Sequence, residues 1–419
     1  MPRPVARLAL SLALLVATLL AAAPSPAAAA PPCAVTTTAD AGTGSLRAAL
    51  ADDACAAIRF ALPGDGPWSI ALASTLPAIA RDLTLLGPGR DLLVLDGQGV
   101  VRPILITGGR VTLTGMTIAN GRSDSPGGVY PDPGDEAGLA VRGGAVTLRH
   151  LRVRDSTQVG GLGGGMYIGG GVIALDDVDV RRNVAAAFAG ILAGPDYGPL
   201  TLTIANSTIA ENVAQRGSGG GIGMGGVGMT AELLGVIVEG NVADAYGGGI
   251  FVGDDARATV VGGAVRGNRT AGFGGGAAAY GILTLRNTTV NKNTATSGGG
   301  LFVGGLGSTT VQESSVADNA ARDQGGGFLI YGRTLSLVGS TVSGNSAAST
   351  GGGIQAQSHD VTAITNSTIS GNTAGELGGG IWGTRTALDL ATVTGNVAPA
   401  AGGLALDGTS SLVRSIVVG

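Results

Sequence analysis

A single asparagine recurs along this chain: Asn183, Asn212, Asn241, Asn268, Asn293, Asn319, Asn345, Asn372 and Asn396, at intervals of 29, 29, 27, 25, 26, 26, 27 and 24 residues. Repetition at this length means one small unit copied and stacked, each copy burying its apolar face against the next. Val or Ile precedes each Asn by three positions (Val180, Ile209, Val238, Val265, Val290, Val316, Val342, Ile369, Val393), and another aliphatic residue precedes it by eight (Leu175, Ile204, Leu233, Val260, Leu285, Val311, Leu337, Ile364, Leu388). Seven to nine residues after the Asn comes a glycine block that ends before a nonpolar residue, as in Gly219-Gly220-Gly221-Ile222, Gly247-Gly248-Gly249-Ile250 and Gly378-Gly379-Gly380-Ile381.

Local pattern decides what the unit is. Segments such as Thr201-Leu202-Thr203-Ile204 alternate with period two and are β-branched, so they read as strands. No segment between repeats has helical periodicity, which argues against a leucine-rich horseshoe or a helical solenoid. What remains is all-β: a parallel β-helix with one coil per repeat, coils stacked at the ~4.8 Å spacing of a sheet and aliphatic positions piled into inward columns. Composition agrees. Gly is 77 of 419 residues, clustered rather than placed at every third position, so the chain is no collagen. Hydrophobic residues are 44% and aromatics 3%, which makes a core of small aliphatic side chains in register. The glycine block fits a sharp corner, where Gly takes positive φ without a Cβ clash. The repeated Asn fits an internal ladder, each amide bonding turn backbone and the neighbouring Asn.

The offsets run back into looser coils. Val146, Leu148 and Val153 place Ser156 where the Asn would be, and Val111, Leu113 and Ile118 place Gly121 there. An insertion separates the two, centred on Arg122 to Glu136 with Asp124, Tyr130, Asp132 and Asp135. Ser45 to Ala57 reads as a short helix with Leu46, Ala49, Leu50 and Ala54 on one face and Thr43 or Ser45 as its cap, positioned to plug the exposed sheet edge beside a first strand, Val35 to Thr38. Cys33 and Cys55 are the only cysteines and are expected to form a disulfide in an oxidising compartment; the alternative is two buried thiols. Arg3 and Arg7, the apolar run Leu8 to Ala23 and the small residues Ala27 to Ala30 follow the order of a secretory signal, and the run is shorter than the roughly 20 residues a membrane span needs. The expected organisation is a signal peptide over 1–30, an N-terminal cap over 31–60 and β-helix repeats over 61–419, exported to the cell surface or the medium with no membrane span after signal removal.

The segment Asp40-Ala41-Gly42-Thr43-Gly44-Ser45-Leu46-Arg47-Ala48-Ala49-Leu50 resembles the opening of secreted bacterial β-helix proteins of the SLREAI-domain type, and Ile58-Arg59-Phe60, Leu76-Pro77-Ala78-Ile79, Gly87-Pro88-Gly89 and Leu95-Asp96-Gly97 fit the same family's first coils. The repeats resemble those of the polymorphic outer-membrane proteins, with Gly-Gly-Gly-Ile for their "GGAI" and Val or Ile in place of Phe before the Asn. The resemblance covers about residues 33 to 419 and implies a right-handed parallel β-helix at the cell surface or outside the cell. It implies no activity, because these motifs are structural, and the relatives' membrane barrel has no counterpart here.

Chemistry is sparse. Enzymes on this scaffold need paired carboxylates, or a basic residue near acidic metal ligands, on the outer face of neighbouring coils. The outward columns are instead Thr and Ser, at Thr203, Thr259, Thr284, Thr310 and Ser336 and again at Thr208, Thr289, Ser315, Thr341, Thr368 and Thr392. No catalytic residue, metal ligand or cofactor site is assigned: two His and two Cys make no His/Cys metal site, and Asp254-Asp255 falls short of the six to eight oxygens calcium takes. A net charge of −4 gives no footprint for nucleic acid. The densest charge pairs by register, Arg149 over Asp176, His150 over Asp177, Arg152 over Asp179 and Asp155 over Arg182, which reads as structural ion pairing rather than a His/Asp acid–base site.

The expected role is therefore structural or adhesive, toward a surface glycan or protein. The alternatives are a secreted polysaccharide lyase or hydrolase, and an ice-templating surface built on Thr341-Val342-Ser343, Thr368-Ile369-Ser370 and Thr392-Val393-Thr394. Leu412 and Val417 fit the inward positions of a further coil, so that coil is expected to continue in a longer reading frame or to pair with another chain.

Overall fold

The computed structural model describes residues 33–124 and 136–418; the signal segment and most of the Arg122–Glu136 excursion lie outside the described residues. It is a parallel β-solenoid of about 14 turns. One coil shows the plan. Strand Thr230–Leu234 points Ala231 and Leu233 inward, Gly235 turns the chain, and Ile237–Glu239 points Val238 inward. Gly240 turns it again, Asn241 enters the interior, and the two-residue strand Val242–Ala243 follows. Gly247-Gly248-Gly249 then leads into Ile250–Val252, and Asp254-Asp255 closes the coil before Arg257–Val261 begins the next. Asp255 holds φ +60°, so this acid pair is a turn between coils.

Successive coils register residue on residue, as in Leu233 on Val260, Val238 on Val265 and Ile250 on Ala277. The aliphatic columns at three and eight before the Asn are buried from Leu148 and Val153 to Leu388 and Val393 and form one continuous core. Leu412 and Val417 take register with Leu388 and Val393.

The asparagines stack through the interior. Asn268, fully buried, accepts at Oδ1 from the backbone N–H and the side-chain Nδ2 of Asn241, both at 3.0 Å. Its own Nδ2 donates to the Val238 carbonyl at 2.9 Å and to Asn293 Oδ1 at 3.1 Å. This arrangement repeats from Asn183 to Asn396, and Ser156 and Gly121 continue the column: Ser156 N–H donates to Asn183 Oδ1 at 3.0 Å, and Gly121 N–H donates to Ser156 Oγ at 3.2 Å.

The glycine block has a further cause than the corner foreseen from sequence. Its first glycine is the corner, as at Gly247 with φ +62°. Its third is set by space: a Cβ on Gly249 would lie 2.6 Å from the Gly276 carbonyl oxygen and 2.9 Å from Asn268 Nδ2. Asparagine and glycine repeat together because each ladder amide lies against a glycine of the coil before it.

At the N-terminal end the strand is Cys33–Val35, earlier than the Val35–Thr38 expected, and it pairs with Ala57–Phe60. The helix is Leu46–Ala51, capped by Ser45, whose Oγ accepts from Ala48 N–H at 3.2 Å. It ends before Ala54, which is exposed, because Asp52 turns the chain: its side chain accepts from Ala54 N–H and its carbonyl from Cys55 N–H. Leu46 and Leu50 are buried in the core, and Cys33 and Cys55 are joined in a disulfide.

Replacing Asn293 by Ala leaves the Asn268 backbone N–H without its acceptor and removes one partner each from Asn268 Nδ2, Asn319 Oδ1 and the Val265 carbonyl in a dry interior, at about 1–3 kcal/mol for a polar group left unpaired. Lys292 beside it holds φ +55°, a conformation Gly adopts without strain. Chemical denaturation is expected to show Asn293→Ala strongly destabilised and Lys292→Gly equal to or above the parent. Equal stability of the two variants would remove the ladder from its central role.

Candidate functional site

Two features of the outer surface are candidates for function. The first is the charge patch. Register places Arg149 opposite Asp176 and Arg152 opposite Asp179 on neighbouring coils. Arg149 Nε lies 3.8 Å from Asp176, His150 Nδ1 is 2.8 Å from Asp177 Oδ2, Arg152 Nε donates to Asp179 at 2.9 Å and Arg182 Nε donates to Asp155 at 2.8 Å. The structure adds partners that repeat arithmetic does not supply. Arg90, 87 residues away in sequence, donates to both carboxylate oxygens and the carbonyl of Asp177. Arg152 also donates to Asp91 at 2.8 Å, and Arg181 to Asp179 at 2.7 Å.

Burial pushes the Asp177 carboxyl up, but hydrogen bonds from His150 and Arg90 more than reverse it and hold it below its ordinary value. Asp155 follows the same pattern, with burial opposed and exceeded by Arg182 and Arg154. Asp155 and Asp177 are thus held ionised by cations, which suits neither a general acid nor a base poised near neutrality. Among the described residues no hydroxyl or thiol bonds His150. The patch stitches the Arg90 turn to the later coils. His359 lies at an exposed turn whose carbonyl accepts from Arg385. The three potential metal ligands that meet among the described residues are Cys33, Asp52 and Cys55, and both sulfurs are committed to the disulfide.

The second feature was not visible in the repeat pattern. Each three-residue strand sends its outer residues into the core and its middle residue outward: Ile250 and Val252 are buried in the core and Phe251 faces out. The outward column runs Tyr167, Leu192, Gly223, Phe251, Ala278, Phe302, Leu329, Gln355 and Trp382. Side chains from the preceding turns (Leu162, Phe188, Tyr246, Phe273) and from the following turns (Tyr197, Tyr280, Tyr331) pack over it. The sequence holds only six Phe, six Tyr and two Trp. Nine of them, Tyr167, Phe188, Tyr197, Tyr246, Phe251, Phe273, Tyr280, Phe302 and Tyr331, meet on this one face, outside the main core. Their centroids are spaced 5.0–6.5 Å apart.

Polar groups frame the aromatic face. Tyr167 Oη donates to Asp196 Oδ2 at 2.6 Å, and the Arg142 guanidinium sits 5.4 Å from the Tyr197 ring centre. Glu136, buried, pairs with Arg102 and lies 3.6 Å from Arg142; burial pushes the Arg102 guanidinium below its ordinary value despite Glu136. Burial also raises the Tyr280 and Tyr331 hydroxyls, Tyr280 further through its hydrogen bond with Tyr246 and Tyr331 through Asp323, so both stay neutral donors. Tyr331 Oη and Gln355 Nε2 both donate to Gln324 Oε1 at 2.7 Å. At one end of the face Leu162, Phe188, Leu192, Asp196, Met224 and Phe251 enclose a cleft of about 280 Å³.

No protein-family model matches the chain, and no curated protein matches it. Among solved structures it is similar to the A-module of the mannuronan C-5 epimerase AlgE6 of Azotobacter vinelandii, at 13% identity and a TM-score of 0.48 over 85% of this chain and 91% of that one.

The charge patch makes two predictions. Asp176 and Arg149 are more than a third exposed, so Asp176→Ala is expected to lower stability by at most about 1 kcal/mol. Asp155 and Asp177 have folded values below their unfolded ones, so their contribution is complete above the ordinary carboxylate value of about 3.9 and is lost as pH falls below it. Melting temperature is expected to hold from neutrality to about pH 5 and to fall below about pH 4, less steeply in Asp177→Asn. An Asp177→Asn acid profile parallel to the parent's would show that the Asp177 pairing contributes nothing.

Proposed function

We propose that this chain is an exported, cell-surface or extracellular β-solenoid whose work is adhesive binding, with the aromatic face as its contact surface. The observation that carries this reading is the gathering of nine aromatic side chains on the outer face of one sheet in a chain with 3% aromatics. Burial in the core does not require them, since that core is built from Leu, Ile, Val and Ala columns. Tyr167 and Phe302 are buried, Tyr197 is exposed and the other six are half-buried, so part of this apolar cluster is open to a partner, as at interaction sites, and Tyr and Phe supply large contact area at low conformational cost. The N-terminal signal pattern and a disulfide suit an oxidising compartment outside the cytoplasm. The acids of the charge patch, each held by Arg or His, favour binding over chemistry on that face.

Expressed with its N-terminal residues, the mature protein is expected outside the cytoplasm, cut between Ala23 and Pro31, which N-terminal sequencing reads. On arrays of surface glycans and proteins, Tyr246→Ser with Phe273→Ser should reduce binding at least tenfold while circular dichroism and melting stay near the parent's. Release of reducing or unsaturated ends from polysaccharides would replace the adhesive reading with an enzymatic one.

A further inference from the structure

The cleft at the end of the aromatic face contains a backbone outlier. In the described coils the corner that opens the glycine block holds Gly163, Gly219, Gly247, Gly274, Gly298, Gly325, Gly351 and Gly378, all with positive φ. In two coils this corner is not glycine: it is the small Ala401, at φ +50°, and the bulky Phe188, at φ +55°. A bulky residue there is disfavoured and persists where its surroundings hold it. One coil further on, Gly223 leaves the outward column without a side chain, and a Cβ at that position would lie 1.9 Å from Phe188 Cδ1. A side chain at 223 fills the same column without a strained corner, as Phe251 does in the next coil. The chain instead uses the strained arrangement, which carries a ring to the edge of the cleft, 5.9 Å from the Phe251 ring centre.

We propose that this cleft binds a sugar residue of a neutral glycan chain running along the solenoid axis, a reading that rests on the adhesive role above. Three features select that ligand. Phe188 and Phe251 offer aromatic surface to the C–H faces of a pyranose, and Leu162 and Leu192 complete an apolar wall. Asp196 is the charged group lining the cleft, and Tyr167 Oη fixes one of its oxygens. A carboxylate accepts hydrogen bonds from vicinal hydroxyls and repels the carboxylate of a uronic acid, so charge complementarity favours neutral sugars. The aromatic face then continues from coil to coil through the half-buried Tyr246 and Phe273, at a coil rise of ~4.8 Å that is close to the length of one pyranose in an extended chain.

Calorimetric titration of the exported chain with cellohexaose, mannohexaose, xylohexaose and hexagalacturonate tests this. At least one neutral hexasaccharide should bind and hexagalacturonate should not. Phe188→Gly, which relaxes the corner, should weaken binding at least tenfold, and Asp196→Asn should weaken it too. If Phe188→Gly loses its fold, Gly225→Trp is the second variant: its Cβ meets nothing within 4 Å and its bulk lies at a cleft-lining position, so it should fold and fail to bind. The proposal is overturned if no neutral hexasaccharide binds, if hexagalacturonate binds as well as they do, or if folded cleft variants bind like the parent. Should these fail while array binding remains sensitive to Tyr246 and Phe273, the adhesive reading survives with a ligand of another class.

Discussion

The fold depends on one interaction, the stacking of asparagine amides in a dry interior. A carboxamide is both donor and acceptor, so identical side chains spaced at the coil rise bond each other without any change of partner type. Here each amide also takes a backbone N–H from the coil before it and reaches a carbonyl three residues ahead of the previous ladder position, as Asn293 does with the Asn268 N–H and the Val265 carbonyl. The third glycine of each block follows from this, because the amide occupies the volume a Cβ would need. The corner that brings the Asn inward follows as well: the preceding residue takes positive φ, whether it is Gly240, Gly267, Lys292 or Asp318. Ladder, glycine block and corner form one constraint.

This explains which parts of the molecule were legible in the sequence. The aliphatic columns, the Asn column and the four charge pairs share fixed offsets, and parallel coils turn equal offsets into contact. A second polar column recurs five residues before the Asn and was not read. Ser207, Thr288, Ser314, Ser340, Ser367 and Ser415 stand in it, and the hydroxyls of Ser314, Ser340 and Ser367 accept N–H groups from the coil before at 3.1 Å. Val178, Val236 and Ala391 interrupt the column, so its periodicity is broken even where its geometry holds. Left-handed corners six before the Asn were hidden for another reason. They are filled by His150, Asp177, Asn206, Glu313 and Leu390 as well as by Gly, so residue type does not mark the conformation.

The aromatic face escaped sequence reading because its members are split among several offsets: Phe188, Tyr246 and Phe273 follow the repeat Asn by five, Phe302 by nine, Phe251 by ten, and Tyr280 and Tyr331 by twelve. Phe251 and Phe302 come from strand centres, Phe188, Tyr246 and Phe273 from the turns before, and Tyr280 and Tyr331 from the turns after. They meet because a turn of one coil leans over the strand of another: Phe188 over Gly223, and Tyr246 and Phe273 over Phe302. Arg90 with Asp177 is the same kind of contact, across 87 residues and more than one coil. Contacts between unlike positions of different coils are what a repeat pattern cannot encode.

Those unlike contacts are also where the coils differ from one another, and binding specificity needs such differences. An ideal repeat presents the same outward side chain at every level. This chain keeps the inward columns nearly uniform and varies the outward column of the three-residue sheet through Tyr, Leu, Gly, Phe, Ala, Gln and Trp. The inward constraint makes that variation tolerable. The ladder and aliphatic columns fix the backbone of every coil, so a strained Phe188 corner or a bare Gly223 is carried by its neighbours and does not spread. A rigid interior with a varied outer column gives a surface that is already ordered, so the adhesive role proposed above would require little further loss of conformational freedom.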